Sequence, residues 1–571
     1  MEAMVPPTSP TAQPARAAWR ESLLAFLAYA AITAVMFWPV LRGLASTFPV
    51  DLGDPPNESW LVAWGVHALT TDPASLLQGN IYFPHAHALI YNDNLLGLLP
   101  ISVPVYLLSG HNTALTYNVL YLLSFVLCGL FTFWLARRLT GSVAGAFLAG
   151  IIVAFSPYRM VHLSHLNQLS GQWVALILLF WERARAAARP GGPSRLWPEL
   201  AAMALFIVLQ ALCSIYYTVF LATCLLIYLG LDIAISGWPL VRRFAIGAAA
   251  AAAAAGVALL PVIVPYLQLQ SRVDTVRGPA QVLYFSADLR DFLHMPRFSS
   301  LYSWTESALG VPTQDAHQYL FPGIVATVLA LIGWRLRRVR PEIRIYGILL
   351  AITAILSLGR QLKVFDRVYT IPLPYALLYD HVPGFHGFRD PARFFYIGYF
   401  CLALLAAWGM GSLLARVRGR KGAVALLLCL AALMEYWIAP VATPRVAVGS
   451  AIPPVYQWLE GRPANTPVLE LPIGQENAAI WSEQALMTYY ATYHWQPIVN
   501  GVGGYTPQGY EADAAILNRW PSVAADRLLH QWGVRYVIWH PTWVGRPGPA
   551  NSSQTPVAWH GADGTTVYAV R

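Results

Sequence analysis

The chain alternates long apolar runs with short polar breaks. Runs of spanning length cover roughly residues 22–41, 114–136, 143–158, 166–182, 198–213, 216–234, 244–268, 319–334, 345–358, 393–416 and 422–440, eleven in all. A helix needs about 20 predominantly apolar residues, and no fewer than ~17, to cross a bilayer. The pattern therefore predicts an α-helical polytopic membrane protein with about 11 transmembrane helices in residues 22–440. The first run follows Arg16 and Arg20 and is longer than the ~7–15 residues of a secretory signal core. It predicts an uncleaved first helix behind a disordered, Pro-rich leader over 1–21. After the last run the pattern changes. Strand-like Val468–Leu471 and Val534–Trp539 flank a helical 510–531, so 441–571 is expected to be a small soluble α/β domain.

Positive charge orders these runs. Arginine supplies nearly all of it, since Lys363 and Lys421 are the only lysines. Arg137/Arg138, Arg183/Arg185/Arg189/Arg195, Arg242/Arg243, the 335–344 arginines and Arg416/Arg418/Arg420/Lys421 sit in short breaks. The positive-inside rule weighs such breaks and puts all of them, with the N-terminus, in the cytoplasm. That holds only if the Pro-broken run 94–108 does not span, so it is expected to be an interfacial or re-entrant helix on the outer side. Three long outer segments remain, 42–113, 269–318 and 359–392, and the tail lies outside.

Only 11% of the residues are charged, against about 25% in an average soluble domain. The pI near 9.3 reflects dispersed arginines rather than a basic patch, which argues against nucleic acid. All five cysteines lie in apolar runs, so no disulfide framework is expected. No Gly-rich phosphate motif sits between a strand and a helix, which disfavours a cytoplasmic nucleotide-sugar site.

Candidate chemistry collects on the outer side. The first outer segment carries Asp51, Asp54, Glu58, Asp72 and Asp93. Transfer of a sugar from a phospholipid donor needs a carboxylate to take the acceptor hydroxyl's proton, or a metal to serve the leaving phosphate. Asp51 and Asp54 would otherwise cap a loop turn, and Asp93 would otherwise cap the 94–108 helix. Arg159, His162 and His165, followed by Gln168, would share one helical face near sugar hydroxyls or a phosphate; the alternative is an interfacial face with Arg159 snorkelling toward headgroups. Arg389 and Arg393 lie against the charge bias beside Asp390. Guanidinium groups match phosphate, so they are expected at a donor phosphate, or else in an internal ion pair of the Arg389–Asp390 or Arg393–Asp93 type, or at outer phospholipid headgroups. Asp288, Arg290 and Asp291 are expected in a solvated turn, and the tail's aromatics in its core or on sugar faces.

The segments "GDPPNESWLVAW", "IYFPHAHALIYNDNLLGLLPISVPVYLL", "FSPYRMVHLSHLNQLSGQW" and "FRDPARFF" resemble a group of bacterial polytopic proteins assigned to the GT-C glycosyltransferase superfamily, whose members use polyprenyl-phosphate-linked donors. The resemblance runs across nearly the whole chain. It implies a GT-C-like transmembrane domain in the bacterial inner membrane, with a periplasmic tail, and transfer from a polyprenyl-phosphate sugar to an envelope lipid or glycan. By position Asp54 takes the place of the superfamily's first-loop catalytic carboxylate, with Asp51 as second choice. Asp93, His162, His165 and Gln168 would contact substrate, and Arg389, Arg393 and Arg159 the donor phosphate. Many members carry adjacent or alternating acids there, whereas these are three apart around Gly53, a departure that argues against a bound metal; no cofactor is expected with certainty, and a divalent metal is the alternative. The competing classes are a transporter or flippase of a lipid-linked sugar and a non-catalytic envelope-assembly protein. Ion-coupled transporters place ionisable groups near the midplane, and the eleven runs hold none there.

Overall fold

The computed structural model describes residues 15–192, 195–270, 276–310, 318–475 and 478–570. The eleven apolar runs lie on helical segments, some of them broken: 143–158 falls on Val143–Ala154 and Pro157–Met160, 166–182 on Leu166–Leu169 and Gln172–Ala188, and 319–334 is helical only from Ile324. Six described helices are long and apolar enough to cross a membrane: Ala18–Met36, Thr113–Thr140, Val143–Met160, Ile215–Ser236, Trp238–Gln268 and Pro391–Arg416. The rest are shorter, among them Gln172–Ala188, Leu196–Ala211, Ile324–Trp334, Pro341–Ser357 and Lys421–Glu435.

The first helix is described over Ala15–Met36, and Glu21 on it pairs with Arg137, near the end of the Thr113–Thr140 helix, at 2.8 Å. The rest of the expected leader, 1–14, lies outside the described residues.

Ion pairs align one end of the bundle. Arg183 Nε meets Glu199 Oε2 at 2.7 Å. Arg185 is buried and bonds Asp232 at 2.6 Å, Glu182 at 3.4 Å and Glu342 at 3.5 Å. The Tyr228 and Tyr346 hydroxyls donate to Glu182 Oε1 at 2.6 and 2.8 Å. These contacts bring together the starts of the Leu196 and Pro341 helices and the ends of the Gln172 and Ile215 helices, as alternating crossings require. The Phe394–Arg416 helix is central and buried from Phe394 to Met410. Its Gly409 meets the Leu329 carbonyl and Gly333 so closely that neither glycine has room for a Cβ, the small-residue crossing that membrane helices use.

At the opposite end the first outer segment is more ordered than its sequence suggested. Asp54–Thr71 is an 18-residue helix, buried around most of its circumference. Within 94–108 the α-helix covers only Leu99–Leu108, ten residues behind a 3-10 turn at Leu96–Leu98. At 1.5 Å per residue they reach about 15 Å, half of the ~30 Å hydrocarbon core.

The tail holds a mixed sheet of order β3-β4-β6-β5, after the 361–364/367–372 hairpin that forms β1 and β2. Val468–Leu471 (β3) runs parallel to Tyr536–Trp539 (β4), which pairs antiparallel with Thr566–Ala569 (β6); Val557–His560 (β5) completes the edge. The expected 510–531 helix is two, Tyr510–Leu517 and Val523–Trp532. Pro521 cannot donate to a continuing helix, and the Ser522 hydroxyl caps the second helix by accepting from Ala525 N at 3.3 Å.

A helix not anticipated, Ala478–His494, joins the tail to the bundle. Segment 497–500 is shared between the two. Val499 N donates to Val468 O at 2.9 Å on the sheet side, while Ile498 N donates to Asn80 O at 2.8 Å and Tyr82 N to Asn500 O at 2.9 Å on the first-segment side.

Candidate active site

Asp54 is the first residue of the Asp54–Thr71 helix, where unpaired N–H groups and the helix dipole favour a negative charge. Its Oδ2 lies 3.1 Å from His165 Nε2, and its side chain keeps 34% of its exposure. Asp51 is differently placed. Oδ1 accepts from Gly53 N at 2.8 Å and Oδ2 from the Ser164 hydroxyl at 2.7 Å. Both its oxygens are engaged in shaping the turn.

One helical turn beyond Asp54, Glu58 is buried and accepts from the backbone N–H groups of Leu166 and, at 3.4 Å, Asn167. Burial pushes its carboxyl well above the usual range, and the Asp54 charge adds to this. Asp93 accepts from Asn167 Nδ2 at 2.7 Å. Burial raises its pKa as well, against the lowering effects of Asn167, Arg393 and Arg389. A row of carboxylates thus runs from Asp51 through Asp54 and Glu58 to Asp93, and the 162–167 turn is stitched to all four.

Arginines stand at the Asp93 end. Arg393 pairs with Asp390 at 2.9 Å and lies over the Tyr216 ring at 4.2 Å. Arg389 has no carboxylate within ion-pair distance among the described residues. Its guanidinium lies over the Phe285 ring at 4.9 Å. Burial, together with Arg393 and Arg277, pulls its pKa down. Arg277 itself stacks on Tyr505 at 4.3 Å and donates to the Gly504 carbonyl at 3.1 Å. This is an under-compensated positive cluster facing a row of acids.

Several expectations are corrected. Arg159 is fully buried, not snorkelling or on a phosphate. It donates to Ala154 O at 2.9 Å, Leu169 O at 2.7 Å, Ser124 Oγ at 3.3 Å and the Tyr396 hydroxyl at 3.4 Å. It ties off helix ends. Arg159, His162 and His165 do not share one helical face, because the helix from Pro157 ends at Met160 and another begins only at Leu166. The rings of His162 and His165 are still 6.0 Å apart. His162 Nδ1 is 2.6 Å from Tyr158 O, and burial lowers its pKa to about 3, which keeps the ring neutral.

Asp93 is not a helix cap: Leu95 and Leu98 hold the N-cap positions of the two helical pieces, without a side-chain cap bond, and Asn94 closes a local turn by accepting from Leu96 N at 3.1 Å. Gln168 is buried, with Oε1 unpaired among the described residues. Asp288, Arg290 and Asp291 are buried rather than solvated, and Asp288 accepts from Phe365 N and Asp366 N at 2.9 and 2.8 Å.

Ser164 and Arg277 were not singled out from sequence, and Glu58 was named only as one acid of its segment, without a role. The spacing of Asp54 and Glu58, four residues apart, signals a shared helical face once 54–71 is recognised as helix. Ser164 and Arg277 carry no such signal. Among the described residues no group of three His, Cys, Asp or Glu side chains converges as a metal ligand set, and Asp51 already spends both oxygens.

Residues 46–434 match the family described as "Domain of unknown function (DUF6311)", about two thirds of the chain. The chain belongs to the DUF6311 family. No curated protein matches it. Among solved structures, arabinofuranosyltransferase AftD from Mycobacteria superposes with a TM-score of 0.54 at 16% identity, over 98% of this chain and 40% of that one. The DUF6311 chain thus spans about two fifths of AftD. Oligosaccharyltransferase AglB from Archaeoglobus fulgidus gives 0.49 at 13% identity, over 92% of this chain and 70% of that one. ArnT from Cupriavidus metallidurans gives 0.39 at 14% identity, over 98% and 99%. The likeness to AftD shows a shared fold.

Proposed function

We propose that this DUF6311 protein is an integral membrane glycosyltransferase. It moves a sugar from a polyprenyl-phosphate-linked donor to an envelope acceptor, at the outer face of the bacterial inner membrane. The observation that carries the reading is the pairing of Asp54 with His165, at one end of an acid row whose other end meets Arg389 and Arg393. One end accepts a proton and the other holds an anion.

In the reaction, the acceptor hydroxyl gives its proton to the Asp54 carboxylate as its oxygen attacks the anomeric carbon. The bond from that carbon to the phosphate oxygen breaks, and the lipid phosphate leaves with the electron pair. His165 holds Asp54 through Oδ2, leaving Oδ1 for the incoming proton. Arg389 offers the leaving phosphate a guanidinium with no competing carboxylate, and Arg393 adds charge while orienting on Asp390. Unpaired buried atoms at Asn57, His165, Asn167 and Gln168 support a hydroxyl-rich ligand nearby, since buried polar atoms ordinarily have partners.

Mass spectrometry of lipid-linked sugars and envelope glycans tests this in cells lacking the gene, complemented with wild type or Asp54→Asn. Loss of one glycan, accumulation of its lipid-linked donor and failure of Asp54→Asn to rescue are expected. An unchanged glycan profile with the protein expressed and then deleted would discard the transferase reading. Rescue by Asp54→Asn would discard the site.

A further inference from the structure

The tail's aromatic residues separate into two groups. Tyr489, Tyr490, Trp520 and Trp539 are in the packed core, and Tyr493, Trp495 and Trp532 lean against it. Trp481 does neither. It is half-buried, no aromatic ring contacts it, and its indole N–H has no hydrogen-bond partner among the described residues.

Its position is specific. A Cβ on Gly53 would stand 3.6 Å from Trp481 Cδ1 and 3.7 Å from Nε1. Gly53 lies between Asp51 and Asp54 and donates its N–H to Asp51. The indole edge therefore sits beside the carboxylate turn, at the end of the acid row away from Arg389 and Arg393.

The platform is braced. Gln475 bonds the Tyr82 hydroxyl and the Gly501 carbonyl. On the Ala478–His494 helix itself, Asn80 Nδ2 donates to Ala491 O at 3.3 Å, and the Thr113 and Thr492 hydroxyls bond at 3.2 Å.

We propose that Trp481 is an acceptor-binding residue, its indole stacking on a sugar ring of the acceptor and its N–H bonding a hydroxyl of that ring, above the Asp51–Asp54 turn. A tryptophan offers a broad apolar face with a polar edge, which matches the alternating C–H and O–H surface of a sugar. The donor's phosphate needs the arginine end, so the ring at the Trp481 end is the acceptor's. The tail would then read the acceptor while the membrane bundle holds the donor. This rests on the transferase reading, and its test is built to fail separately.

The protein is labelled with 5-fluorotryptophan in nanodiscs, and Trp481→Tyr assigns the Trp481 fluorine resonance by its disappearance. Methyl hexopyranosides, methyl pentofuranosides and their disaccharides are titrated in. The Trp481 resonance is expected to shift saturably with at least one glycoside, in wild type and in Asp54→Asn alike. Absence of any shift at Trp481 across the panel would overturn the proposal even if Asp54→Asn cells lose a glycan. A shift with an unchanged cellular glycan profile would keep the sugar site and remove the transferase reading. In transfer assays with the glycoside that shifts it, Trp481→Ala is expected to raise acceptor KM about tenfold, equivalent to about 1.4 kcal/mol, with Trp481→Tyr in between. A rise in donor KM without one in acceptor KM would overturn the assignment to the acceptor.

Discussion

His165 Nε2 stands 3.1 Å from Asp54 Oδ2, joining a turn beyond the Val143–Ala154 helix to the first residue of the Asp54–Thr71 helix. The two residues are 111 positions apart in sequence. The pair fixes the direction in which Asp54 presents its second oxygen.

Asp54→Asn preserves the shape of that side chain and removes its basicity. Transfer is expected to fall by about 10²–10⁴-fold, the usual worth of a general base, with unfolding in detergent unchanged. His165→Gln retains a donor for Asp54 without an imidazole. It is expected to cost on the order of tenfold, about 1.4 kcal/mol of barrier, and steady-state rates on both variants check the order. Equal losses would mean that His165 acts on substrate directly.

Glu58 ties the acid row to the protein's pH response. Its folded-state pKa is raised, first by burial and then by Asp54, so the folded protein holds the proton more tightly than the unfolded chain. Stability from this group is therefore present below the ordinary carboxylate pKa and is lost as pH rises through the raised value. Glu58→Gln, which never ionises, is expected to flatten stability against pH over that window. Thermal unfolding at a series of pH values reads the slope; an unchanged slope would assign the proton elsewhere.

The bundle was more legible than the site because lipid imposes length and apolarity on each crossing. Those constraints are local, so the eleven runs appear in order, and Arg137–Glu21 and Arg185–Asp232 join ends that charge had already put together. The Asp54–Thr71 and Ala478–His494 helices were missed for the converse reason. Both are covered by protein rather than lipid, and segments such as Asp54-Pro55-Pro56-Asn57 look like loop. Asp54 and Asp93 stood out as acids outside a first span. Arg159 misled, since a buried arginine satisfied by helix-end carbonyls reads in sequence like an interfacial one.

The glycines of 501–504 carry a contact requirement. A Cβ on Gly501 would stand 2.6 Å from the Tyr82 ring, and one on Gly503 2.9 Å from Tyr91 O. Across the same seam Asn92 Nδ2 donates to Val502 O at 2.9 Å. Gly501→Ala is expected to cost about 1–3 kcal/mol through overpacking and to loosen the seam locally. Hydrogen exchange should rise at 80–83 and 497–505 while the central Phe394–Arg416 helix keeps its protection. Uniform loss of protection would show that the tail and bundle unfold as one unit.

Arg159 and Arg389 give the sharpest contrast, because both are arginines near the site and their surroundings predict opposite phenotypes. Arg159 spends its guanidinium on the Ala154 and Leu169 carbonyls, Ser124 and Tyr396. Arg159→Met would leave those carbonyls without a donor; at about 1–3 kcal/mol per orphaned group, a loss of at least about 3 kcal/mol of stability is expected. Donor KM should be unchanged in whatever fraction folds. Arg389 holds no carboxylate and is only half-buried, so Arg389→Gln is expected to leave unfolding unaltered. It should raise donor KM about tenfold or more, 1.4 kcal/mol per decade. Arg389→Lys keeps the charge but not the planar fork and should recover part of that loss. Unfolding midpoints and donor KM measured on the same three preparations separate the roles, and a donor defect in Arg159→Met with an intact fold would return Arg159 to the phosphate.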